Sequence, residues 1–162
     1  MQYHQRRPEK AITDHDQLLM VLREGNVVTL AMCRNDEPYL VTVNYALNEA
    51  GTAIYFHCAG QGKKFDYLSA NPKVWGQVFI DGGYLEGECD HRYRTVQFAA
   101  EAAFVKEESA KREALTLMIR HFEPNPEPVI KRFLGSPEAV SDVAVVRLDL
   151  LHITGKESHM SK

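Results

Sequence analysis

The stretch IYFHCAGQGKKFDYL, Ile54 to Leu68, changes rhythm halfway. An apolar run rich in β-formers meets two glycines and two adjacent lysines, and then a segment with Phe65 and Leu68 three residues apart. A strand, a turn and a short helix follow from that order. Backbone N–H groups released at a glycine turn and at a helix start form a concave site for an anion, and an ammonium adds a compact positive charge. GQGKK, residues 60–64, is therefore a candidate cradle for one phosphate, against the plainer reading of a solvated lysine pair at the start of a surface helix. It is not a Walker loop, because the spacing differs and no Ser or Thr follows the lysine.

Outward from this stretch, short turns join the elements. Asp14 is an N-cap candidate for HDQLLMVLRE, with Leu18, Leu19 and Leu22 at helical spacing and Gly25 placed to end the helix. NVVTLAMC (26–33) and PYLVTVNYAL (38–47), separated by RNDE, predict an antiparallel hairpin, and TAIYFHCA (52–59) is a third strand after the NEAG turn. KVWGQVFI (73–80) is a fourth, DGGYLEGECD (81–90) has the composition of a surface loop, and RYRTVQFAAEAAFV (92–105) is a long fifth strand. An amphipathic helix over 107–122 carries Leu115, Met118, Ile119 and Phe122 on one stripe, best explained as core or dimer packing. The proline elbow EPNPEP, a short helix VIKRFL and a last strand from Val143 complete the chain. The sum is a mainly β fold with peripheral helices: a six-stranded antiparallel split β-barrel. One domain spans 14–157, preceded by an N-terminal arm (1–13) and followed by a C-terminal tail (158–162).

Composition bounds the function. With 162 residues, 44% of them hydrophobic, the chain can build a core without disulfides. A net charge of −3 gives no global reason to expect nucleic acid as a partner, and no apolar run is long enough to span a bilayer. Cys33, Cys58 and Cys89 form no paired motif, so a reducing cytoplasm is the expectation and no metal is expected. His57 and Cys58 are neighbours on a strand and face opposite ways, which prevents them from sharing an ion.

The order NVVTLAMC…PYLVTVNYAL…IYFHCAGQGKKFDYLSANPKV, with RYRTVQFAAEAAFV and LDLLHITGKES further on, resembles the FMN-binding split barrels related to pyridoxamine 5′-phosphate oxidase, and within them the nitroimidazole-resistance (Nim-type) branch. The resemblance runs from about Leu18 to Glu157. It implies an FMN cofactor at the interface of a homodimer, with Val41, Thr42, Val43 and Asn44 along the isoalloxazine ring. Phe56, His57 and Ala59 would line the ribityl chain and ring, and Gly62, Lys63 and Lys64 the phosphate, with Lys63 the better match of the two lysines. Arg94, Thr95 and Val96 would add phosphate and ring contacts, although Arg94 can equally pair with Glu88 or Asp90. His57 matches an active-site histidine of the branch and is the catalytic candidate; the alternative is a strand histidine bonded to a carbonyl.

The activity implied is electron transfer from NAD(P)H or another donor, through flavin, to a small acceptor such as a nitroaromatic. No GxGxxG unit for a dedicated dinucleotide domain is present. The alternative is a non-catalytic binder of flavin, deazaflavin or haem. Two departures stand out. Ala99 or Ala100 replaces a usual glycine, and the single tryptophan, Trp75, lies far from the chain's end, which disfavours vitamin B6 oxidation.

Overall fold

The computed structural model describes residues 6–159; the first five residues of the arm and the last three of the tail lie outside it. After a single 3₁₀ turn at Pro8–Lys10, the elements are β1 (Ala11–Ile12), α1 (His15–Glu24), β2 (Val27–Arg34), β3 (Glu37–Asn44), β4 (Ala46–Leu47), β5 (Ala53–Ala59) and α2 (Lys63–Ala70). They are followed by β6 (Lys73–Leu85), β7 (Asp90–Phe104), α3 (Glu108–Phe122), α4 (Pro126–Phe133), α5 (Pro137–Ser141) and β8 (Val143–Ser158).

All the strands belong to one antiparallel sheet in the order β3-β2-β6-β7-β8-β5-β4, with β1 added to β8. The sheet therefore has eight strands where the sequence predicted six, and it is not closed. The two additional strands are β1 and β4. β4 is split from the predicted strand 38–47 at Tyr45, whose side chain is fully buried and whose hydroxyl donates to the Leu22 carbonyl at 2.6 Å. Burying a phenol demands such a partner, and reaching it turns the chain off β3. Ala46–Leu47 then pair with β5, so the strands on either side of Tyr45 are the two outer edges of the sheet. The hydroxyl ties this corner of the sheet to α1, and burial pushes the Tyr45 phenol well above the ordinary tyrosine range.

Local chemistry accounts for several boundaries. The Asp14 carboxylate accepts the Asp16 N–H at 2.9 Å and opens α1. Gly25 closes α1 at φ −70°, so no left-handed residue is needed; a Cβ there would run into Val78 Cγ1 and lie 2.7 Å from the Tyr45 hydroxyl. Between β2 and β3, Asn35 and Asp36 take φ of 50° and 62°, the two-residue turn that matches the strand twist.

The predicted loop 81–90 is largely strand. β6 runs on to Leu85 opposite β7, a bulge between Asp81 and Gly83 absorbs the irregularity, and only residues 86–89 turn. The elbow prolines are likewise absorbed, because Pro126 starts α4 as a first-turn proline.

The main core lies inside the curl, where Leu30, Phe56, Val78, Phe98 and Leu148 are fully buried. A second, smaller cluster of Ala114, Leu115, Leu134, Val140 and Val145 lies between the helices α3–α5 and the outer face of the sheet. At the far end of the β6–β7 hairpin, Asp90 accepts from Lys10 Nζ at 3.2 Å and contacts His159 Nε2 at 3.0 Å. The His91 backbone N–H first, and then these two side chains, hold its carboxyl far below the usual range. Among the described residues no helix is long and apolar enough to cross a membrane.

Candidate functional site

Alternation along β5 decides which of its residues can meet a ligand. Ile54 and Phe56 point into the core, both fully buried, while His57 is exposed on the opposite face. Three residues beyond Ala59 the chain reaches Gly62 at φ +106°, a conformation glycine adopts without penalty, and a Cβ there would meet nothing within 4 Å. Gly62 is the N-cap of α2 and no side chain caps that helix. The first intrahelical bond runs from the Asp66 N–H to the Gly62 carbonyl, so the amides of Lys63, Lys64 and Phe65 precede the first intrahelical donor of the helix. An open turn followed by uncapped amides fits one phosphate.

The two lysines part company. Lys63 Nζ is held by Glu37 Oε1 at 3.2 Å and lies 4.8 Å from the Tyr39 ring centroid and 5.3 Å from that of Tyr67. Its bond with Glu37 raises the Lys63 pKa and lowers that of Glu37. Lys64 has its ammonium 5.8 Å from the Phe56 ring centroid, and its charge reaches both His57 and Cys58. Lys64 is therefore the cation next to His57, and Lys63 is engaged on the β3 side.

Burial first, and the Lys64 charge second, push the His57 imidazole below its ordinary value. Above the unfolded pKa of about 6.5 this neutral imidazole contributes its full share of stability, which is lost as pH falls toward the lower folded pKa. In a pH titration followed by NMR, His57 is expected to titrate below about 6.5, and Lys64→Ala to move it upward. An unmoved titration would show that Lys64 does not face the imidazole.

The remaining predicted residues are dispersed. On β3, Val41 and Val43 pack against the core, whereas Thr42 and Asn44 are exposed, Thr42 Oγ1 lying 2.9 Å from Thr29 Oγ1. On β7, Arg94 grips both carboxylate oxygens of Glu24, at 3.0 and 2.8 Å, and so pairs with neither Glu88 nor Asp90. Its Nε is buried with no partner among the described residues. The Thr95 hydroxyl donates to the Val78 carbonyl at 2.9 Å, and Val96 is fully buried in the core.

His57 and Asn44 do come together, as polar lining residues of a cavity of about 520 Å³. Leu115, Met118, Ile119 and Phe122 of α3 line it together with Phe133 of α4 and Leu134 just after it, and Glu123 stands at the end of α3. The sequence marked the α3 stripe only as packing. Periodicity identifies the apolar face but not whether the opposite wall touches it, and the Met and Phe side chains here border a space. Among the described residues no three metal-ligating side chains are gathered.

Comparison with known proteins agrees with this architecture. A candidate 5-nitroimidazole antibiotic resistance protein of Bacteroides thetaiotaomicron has the same fold, with a TM-score of 0.78 and 21% identity over 90% of this chain and 85% of that one. A flavocytochrome of Azotobacter vinelandii superposes with a TM-score of 0.80 at 16% identity, over 98% of this chain and 73% of the other. Among curated proteins, an uncharacterized protein of Rhizobium meliloti is 35% identical over 79 residues, 41% of this chain; the match spans 50% of that relative's length. Residues 14–157 match the family described as pyridoxamine 5′-phosphate oxidase. With nearly the whole sheet and every helix inside that match, the chain belongs to the pyridoxamine 5′-phosphate oxidase family.

Proposed function

We propose that the chain is a cytoplasmic, homodimeric FMN-dependent oxidoreductase that takes electrons from NAD(P)H or another donor and passes them to a small acceptor, nitroaromatics being the expected class. The observation that carries this reading is the convergence at the end of β5: an open glycine turn, the uncapped start of α2, the Lys64 ammonium and an outward His57, with Asn44 nearby across the cavity. Bound there, FMN supplies the electron chemistry, and the chain's residues supply position and charge.

In this reading the amides of Lys63, Lys64 and Phe65 and the Lys64 ammonium hold the phosphate. Thr42 and Asn44 border the ring from the exposed face of β3, and the neutral His57 presents an imidazole that can donate a hydrogen bond to the reduced flavin or to the acceptor. The second subunit would cover the outer sheet face. Leu40, Trp75 and Phe79 are 66%, 53% and 47% exposed there, and Trp75 lies in a row between Ala31 and Ala99, small neighbours that leave it prominent. Large exposed apolar side chains on one face mark an interface.

Family membership and the flavocytochrome and nitroimidazole-resistance neighbours support the reading. The flavocytochrome also favours a second one, a haem or flavin binder without turnover. An absorption spectrum of purified protein, with identification of the released cofactor, separates them. About one FMN per chain is expected, together with NAD(P)H consumption when a nitro compound is added. His57→Ala is expected to keep the FMN and slow nitro reduction by about tenfold or more. A haem spectrum would carry the second reading, and a colourless protein that takes up no FMN would overturn both.

A further inference from the structure

Two lysines begin α2, and the flavin reading uses the ammonium of Lys64 alone. Lys63 gives the turn a backbone amide, yet its Nζ is held by Glu37 Oε1 at 3.2 Å. The β2–β3 hairpin brings that carboxylate in. Asn35 and Asp36 take the left-handed conformations of its turn, and Glu37 is the first residue after them. The same end of the hairpin is also fixed to the far end of α2, whose C-cap Asn71 donates through Nδ2 to the Cys33 carbonyl at 2.9 Å. With the hairpin docked at both ends of α2, Glu37 is delivered to the helix start by the fold itself.

The other groups around the pair favour it. Tyr39 and Tyr67, with ring centroids 5.2 Å apart, both lie within cation–π reach of Nζ. Lys63 has the largest influence on the Glu37 carboxyl and the Tyr67 hydroxyl the next, whereas Arg34, opposite Glu37 in the ladder, has the least. Asp66, exposed in the first turn of α2, adds a further negative charge. An incoming phosphate therefore meets the Lys64 ammonium and a second one already shared with a carboxylate. The Lys63 and Glu37 side chains are 53% and 66% exposed, so water solvates both when the pair opens, and the flexible lysine stem can exchange one anion for another. A phosphate carries more charge than a carboxylate and is held by amides of the same turn.

Resting on the flavin reading for the identity of the ligand, we propose that Glu37 is a competing counter-ion. It withholds the Lys63 ammonium from the turn at residues 60–64 and so sets how tightly a phosphate-bearing ligand is held there.

The test is titration of the full chain, freed of bound flavin, with FMN and riboflavin by fluorescence and with inorganic phosphate by amide NMR. Glu37→Gln is expected to tighten FMN about three- to tenfold and to leave riboflavin, which lacks the phosphate, unchanged. The gain should need Lys63: in a Lys63→Ala background the same substitution should change FMN binding by less than about twofold, because an exposed charge acting through salt solution is screened. Asp16→Asn, which removes a like charge from the first turn of α1, should have no effect. The proposal is overturned if Glu37→Gln leaves FMN binding unchanged or weakens it, if riboflavin gains equally, or if Asp16→Asn reproduces the gain. It is equally overturned if the gain persists without Lys63, since Glu37 would then act by repulsion alone. Inorganic phosphate separates the two proposals. A chain that takes up no flavin but binds phosphate more tightly in Glu37→Gln sinks the oxidoreductase reading and leaves this one standing, whereas FMN bound with one affinity in parent and Glu37→Gln sinks only this one.

Discussion

Replacing Lys64 with alanine is expected to raise the dissociation constant for FMN by about 10- to 100-fold, the worth of one hydrogen bond to a charged group. The effect of Lys63→Ala should be much smaller, about threefold or less, because an exposed ammonium already engaged by a carboxylate adds little. The reasoning is geometric. The Lys64 charge is felt at His57, while Lys63 is tied to Glu37 and flanked by Tyr39 and Tyr67. Titration of the apoprotein with FMN, followed by flavin fluorescence, gives both constants. A larger loss in Lys63→Ala would place the phosphate on the Glu37 side of the turn and overturn the assignment to Lys64.

Gly76→Ala is expected to destabilise the fold by about 1–3 kcal/mol through overpacking. Gly76 lies between Leu30 and Phe98 in the register of β2, β6 and β7. The fully buried Phe98 ring occupies the place a Cβ at residue 76 would take, with Cζ, Cε2 and Cε1 all in collision range. An aromatic ring thus covers the glycine of its cross-strand neighbour, and one methyl group must displace a core residue. For a chain of this size the melting temperature should fall by about 2–12 °C. Because the nearest clashes are all with the Phe98 ring, Phe98→Leu combined with Gly76→Ala should cost clearly less than the sum of the single losses. A Gly76→Ala protein that melts with the parent, or a strictly additive double variant, would show that the core yields there.

Elements whose cause is local were legible in the sequence. Asp14 and Gly25 bracket α1, the Asn35–Asp36 pair sets its hairpin, and the Gly62–Lys63 junction starts α2. Features whose cause lies elsewhere in the chain were not. Nothing in PYLVTVNYAL marks Tyr45 as a break, because its partner is a carbonyl in α1. DGGYLEGECD has loop composition, yet pairing with β7 holds most of it extended. The same division holds for the candidate site. The glycine–lysine turn and His57 stand out in sequence, whereas the Lys63–Glu37 pair depends on β3 bringing Glu37 across. Arg94, expected at the phosphate with Glu88 or Asp90 as the alternative, holds Glu24, seventy residues away. The cavity depends on how far α4 stands from α3, which no stripe of apolar residues encodes.

The contacts of Asp90 bear on how this chain can be rewired. Lys10 and His159 both reach one carboxylate, at 3.2 and 3.0 Å, so the two ends of the described chain converge on the same hairpin. A circularly permuted gene that joins the chain near these residues through a short flexible linker, and opens it in the exposed segment Glu123–Asn125 between α3 and α4, keeps every strand pairing intact. Such a permutant would place the new termini beside Glu123, where a reporter peptide can be attached without crossing the sheet.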